Sequence, residues 1–88
     1  MTSTKQAITL NNPITVDGIS VSELSIREPK VRDLLAIERI EGEALKEVAL
    51  IANLASVPKE VVEDLCIKDY VEIQKVLKGF LSPLEQRS

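Results

Sequence analysis

Ile14-Thr15-Val16-Asp17-Gly18-Ile19-Ser20-Val21 alternates apolar and polar side chains on both sides of an Asp-Gly pair. Alternation is the period of a half-buried strand, and Asp-Gly suits the two positive-φ positions of a type I′ turn. The stretch therefore reads as a β-hairpin with Val16 opposite Ile19 and Ile14 opposite Val21. Upstream, Ile8 and Leu10 continue the alternation, and Pro13, after Asn11-Asn12, marks an edge position or a break in the first strand. Downstream, Leu24 and Ile26 fall on even positions where Ile19 and Val21 are odd. One extra residue near Ser22 or Glu23, a β-bulge, would keep all four facing inward.

Beyond the hairpin the period lengthens to that of helices. Glu28-Pro29 closes the β region and starts a first helix, because proline is tolerated at the first helical position. Val31, Leu34, Leu35 and Ile37 line one side of this helix, which is expected to stop near Gly42. A second helix spans about Glu43 to Ala55, and Ser56-Val57-Pro58 separates it from a short third helix carrying Val61, Val62 and Leu65. From Lys68 to Leu81, Tyr70, Ile73, Leu77, Phe80 and Leu81 follow helical spacing, opposed by Lys68, Glu72, Lys75 and Gly79. This fourth helix lacks the usual polar cap after Cys66-Ile67, unless Asp69 caps a later start, and Pro83 is expected to end it. The fold class is α+β: an N-terminal hairpin followed by about four helices in one small domain. The domain covers residues 7–81, between a flexible arm at 1–6 and a loose tail at 82–88.

Composition narrows the function. A chain of 88 residues, 44% apolar, has room for one core. Its formal charge of -3, with the basic residues scattered, argues against nucleic acid or an anionic membrane. Tyr70 and Phe80 are the only aromatic residues, too few to stack on exposed bases. The most apolar run, Val48 to Val57, is half of the roughly 20 residues a membrane-spanning helix needs. The polar opening Thr2-Ser3-Thr4-Lys5-Gln6 and the single Cys66 point to a reducing cytoplasm. There is no histidine, which removes the commonest general base and metal ligand, and the three glycines are isolated, so no phosphate loop forms. Neither a cofactor nor catalysis is expected, and Cys66 reads as a small buried hydrophobe.

Two departures from clean patterning mark a candidate partner-binding surface. Glu38 falls on the apolar side of the first helix, where it must be exposed at a frayed end or paired, with Arg27 or Lys30 as the available cations. The second helix is apolar nearly all round, and Leu50 shares a stripe with Glu43, Lys46 and Asn53. Leu50 either packs beneath the third or fourth helix or belongs, with Lys46, Asn53 and Glu38, to a surface that another protein covers.

The order of these segments carries a resemblance. Ile8-Thr9-Leu10, Pro13-Ile14-Thr15-Val16-Asp17-Gly18, Leu24-Ser25-Ile26-Arg27-Glu28-Pro29, Asp33-Leu34-Leu35, Ile51-Ala52-Asn53-Leu54-Ala55, Asp69-Tyr70 and Gly79-Phe80-Leu81 together resemble the small tail assembly chaperones of Mu-like and related temperate tailed phages. Arg27-Glu28-Pro29 after a hairpin is the most specific element. The resemblance implies a protein of the host bacterial cytoplasm that binds the tape measure protein and keeps it soluble while the tail tube assembles. It also implies a second, longer product made by a minus-one ribosomal frameshift, through which the tail tube protein becomes a further partner. Gly79-Phe80-Leu81, encoded as GGT TTT TTG, would supply the slippery heptamer. The other reading of the residues is a generic cytoplasmic adaptor or antitoxin-like interaction protein.

Overall fold

The computed structural model describes residues 5–85, with side chains described through Leu81. Two strands, β1 (Lys5–Val16) and β2 (Ile19–Arg27), are followed by α1 (Val31–Ala36), α2 (Glu43–Ala55), α3 (Lys59–Glu63) and α4 (Ile67–Glu85). This is the expected hairpin and four helices. Lys5 and Gln6, assigned to the arm, begin β1, while 1–4 and 86–88 lie outside the described residues.

The hairpin closes as its sequence requires. Asp17 and Gly18 have φ of 52° and 78°, the pair of positive values a type I′ turn needs, and Val16 pairs with Ile19 and Ile14 with Val21. The irregularity is placed differently from expectation. Pairing resumes at Thr9 with Glu23, so Leu10, Asn11, Asn12 and Pro13 stand against Ser22 alone. The surplus residues are in β1, and Pro13, which has no N–H to give a ladder, falls among them. The interruption lets Val21 and Leu24, on opposite parities, both pack against the core. Ile19, expected inward, is exposed beside the turn, although Val16 opposite it packs against the core.

The helices form one layer on the hairpin. α2 lies against β2, α3 and α4 lie against β1, and α2 also packs along α3 and α1. Buried Leu10, Ile14, Leu24 and Ile26 meet Leu50, Ile51 and Leu54 of α2, Val61 and Val62 of α3, and Ile73 and Leu77 of α4 in a single cluster. Ile26, Ile51 and Ile73 are fully enclosed, and burial of each contributes about 1.5–3 kcal/mol relative to exposure. The α2 terminus follows from Ser56, which takes the left-handed conformation while Val57 N–H donates to the Ala52 carbonyl at 3.1 Å, and Pro58 then caps α3.

Two helix limits differ from expectation. α1 starts after Pro29, at a Lys30 cap, and ends at Ala36 rather than near Gly42. Ile37, Glu38 and Ile40 donate to carbonyls three residues back, so the last turn tightens and unwinds while Ile37 turns inward. α4 begins at Ile67 and runs through Pro83 to Glu85. A proline removes one backbone donor and strains the ladder without forbidding helical φ, so near a terminus the helix persists past it.

Candidate functional site

The four residues singled out from sequence do not form one surface. Leu50 is 4% exposed and belongs to the core, because α2 is flanked by β2, α3 and α1 and so has little free circumference. Lys46 is half-buried, Asn53 is exposed, and the buried Leu50 stands between them on their stripe. Glu38 is exposed beyond the end of α1. Of its two foreseen partners, the Lys30 side chain has no ion-pair partner among the described residues, and Arg27 is engaged by an aspartate that sequence reading passed over.

That aspartate is Asp33, the one buried residue of α1. Arg27, at the end of β2, donates from both terminal nitrogens to its two carboxylate oxygens at 2.8 and 2.9 Å. Lys30 N–H donates to Asp33 Oδ2 at 2.7 Å. Lysine has no side-chain acceptor, so this is the aspartate half of a capping box, strengthened by the guanidinium. The Arg27 hydrogen bonds, opposed by burial and helped by Lys30 N–H, hold the Asp33 carboxyl down at about 2. The Arg27-Glu28-Pro29 element is thus the junction that fixes α1 to the hairpin. The six-residue step from Arg27 to Asp33, with Asp33 third after Lys30, was the available signal.

Asp69 makes a second fixed point. It is fully buried and accepts from Asn11 N–H at 2.9 Å, Asn11 Nδ2 at 2.8 Å, Asn12 N–H at 3.2 Å and the Cys66 thiol at 3.3 Å. The surplus residues of β1 lose their ladder partners, and Asp69 takes two of the freed backbone donors. Those hydrogen bonds, Asn11 N–H first, outweigh burial and hold its carboxyl at about 2. Cys66, read as an inert hydrophobe, is half-buried and acts as a donor at the start of α4. No local sequence pattern pairs residue 11 with residue 69.

A third polar contact joins α2 to α4. Tyr70 Oη–H and Gln74 Nε2, one helical turn apart, both donate to Glu47 Oε1, the latter at 2.8 Å. Burial, and then donation to Glu47, push the Tyr70 hydroxyl well above its ordinary value. Every buried side-chain polar atom among the described residues has a partner. These carboxylates hold elements together. Among the described residues no group of three or more metal-ligating side chains comes together.

Several apolar side chains also remain accessible. Val31 and Leu35, four residues apart on the side of α1 that its spacing marks as apolar, are 74% and 62% exposed. Ile67 and Val71 form a second exposed pair at the same spacing on α4, and Leu45 is exposed in the first turns of α2. Side chains four apart lie on one face of a helix, so each pair is a short apolar stripe. Sequence reading missed them because helical spacing marks a shared face without saying that the face is covered. Such stripes suit the apolar side of another helix.

No helix among the described residues is long and apolar enough to cross a membrane. Residues 7–82 match the family described as phage tail assembly chaperone proteins, E, or 41 or 14. No curated protein and no solved structure matches the chain.

Proposed function

Since the chain belongs to the phage tail assembly chaperone family, we propose that it binds the tape measure protein and keeps it soluble in the host cytoplasm while the tail tube forms. The role of that family is assembly rather than catalysis, and its partners are tail proteins. The observation that carries the finer reading is the exposure of Val31, Leu35, Leu45, Ile67 and Val71 on a domain whose core is complete without them. A small acidic protein with free apolar helix surface can cover the apolar stripe of a long helical client and add charge to the complex.

The longer frameshifted product belongs to the same proposal. All fourteen buried apolar residues of the described core lie between Leu10 and Leu77, upstream of Gly79-Phe80-Leu81. A sequence diverging after Leu81 would keep them all, leaving a common client-binding domain with a new C-terminal extension free to reach the tail tube protein.

Co-expression with the tape measure protein of the same phage tests the reading. The expected result is a tape measure protein that stays soluble and co-purifies with this chain. A client that aggregates with both the short and the frameshifted form present would refute it.

A further inference from the structure

α1 is joined to the rest of the domain differently from the other three helices. Between Ile26 and Ile37, both in the core, Asp33 is the one buried residue, Leu34 is half-buried, and Val31 and Leu35 face solvent. Helices α2, α3 and α4 each bury at least two apolar side chains, whereas the buried side chain of α1 is a carboxylate. The contrast with α3 is the sharpest. At five residues α3 is shorter than α1, yet it buries Val61 and Val62 at 2% and 3% exposure. α1 instead rests on the hydrogen bonds of Asp33 to Lys30 N–H and to Arg27, whose guanidinium is about one-third exposed and so partly screened.

We infer that α1 is a latched strap: residues 28–36 open and close against the domain while the hairpin and α2 to α4 stay folded, and Asp33 is the latch. Opening gives up the polar contacts of Asp33 and the partial burial of Leu34. It leaves the core in place, because Ile37, the core residue nearest the strap, lies past the end of α1. Segments that open separately from a fold are those with few buried apolar contacts, which describes α1 and not α3. Once released, six residues do not hold a helix by themselves, since isolated helices shorter than about 12–15 residues are marginal in water. The strap therefore unwinds as it opens and re-forms when Asp33 meets Arg27 again. A carboxylate–guanidinium pair, rather than core packing, sets the balance between the two states.

Native-state hydrogen exchange on the whole chain, read at individual amides, tests it through matched positions in the two short helices. Asp33 and Val61 N–H donate to the cap carbonyls of Lys30 and Pro58 at 2.9 and 3.0 Å. Ile37 and Leu65 N–H donate to the carbonyls of Leu34 and Val62 at 3.3 and 3.2 Å. The Asp33 and Ile37 amides are expected to be protected on the order of a hundredfold less than those of Val61 and Leu65. Low concentrations of urea should not speed their exchange, because a local opening exposes little surface. Equal protection in the two helices, or the same urea dependence in both, overturns the inference. In the second arm, Asp33→Ala is expected to move the amide shifts of residues 30–36 toward random-coil values and to leave those of α2 to α4 in place. Helical shifts retained at 30–36 overturn the latch. Collapse of the whole spectrum overturns the strap, by showing that α1 cannot open without the rest of the fold.

Discussion

Asp33 and Asp69 show how a single carboxylate can hold two elements together. Each accepts donors from a segment that has run out of secondary-structure partners: Lys30 N–H at the start of α1, and the Asn11 and Asn12 N–H groups opposite the broken ladder. Replacing Asp33 by Ala leaves Arg27 and Lys30 N–H without their acceptor. Arg27 is about one-third exposed, so its ion pair is screened and most of the loss comes from the cap and from the unmet buried donors. A loss of about 1–3 kcal/mol in urea unfolding is expected, and less for Asp33→Asn, which keeps a cap acceptor. Acid should expose both aspartates at once. Their folded values of about 2 lie below the unfolded 3.8, so the folded state binds these protons more weakly. The stability they contribute is complete above pH 3.8 and is lost as pH falls through about 2. An acid titration followed by far-UV circular dichroism should show this loss, and Asp69→Asn should remove part of the acid dependence while lowering stability at neutral pH.

Helix α1 is less covered than its apolar spacing suggests, and α2 is covered, as one of the two readings of Leu50 held. Val31, Leu34, Leu35 and Ile37 have the spacing of a buried face, yet a helix of six residues presents under two turns to the hairpin, and only Ile37, past its end, becomes buried. α2, at 13 residues and flanked by three elements, buries Leu50, Ile51, Ala52 and Leu54. Leu50→Asp is therefore expected to unfold the domain, since a buried unpaired carboxylate costs several kcal/mol, whereas Leu35→Asp should leave unfolding unchanged. Thermal denaturation of the two variants side by side decides between core and surface. In the hairpin, Gly18 has open space around it but a φ of 78°, so Gly18→Ala should cost about 1 kcal/mol through backbone strain alone.

The domain as a whole depends on few interior side chains. Ile26, Ile51 and Ile73 come from β2, α2 and α4 and are enclosed in one cluster where the helices meet the hairpin. Truncating Ile26 to Ala is expected to cost about 2–5 kcal/mol, a large part of the roughly 5–15 kcal/mol typical of a whole domain. Urea unfolding of Ile26→Ala should show a lowered midpoint or no folded baseline. Replacing everything after Leu81, by contrast, leaves the described core intact, and the melting temperature of such a chain should match that of the short form.

The hairpin, its turn type and its near-turn register were legible because they are local: Asp17-Gly18 sets the backbone, and side chains two apart set the face. The helix break at Ser56-Val57-Pro58 and the covered stripe of Ile73 and Leu77 were legible for the same reason. The family was legible in the order of short elements along nearly the whole chain. Tertiary structure alone decided which apolar stripes are covered, because burial depends on how many neighbours surround a helix and not on its own period. It turned Leu50 inward, left Val31 and Leu35 outside, and joined Asn11 to Asp69 across 58 residues of sequence, a contact fixed only once strand and helix have packed.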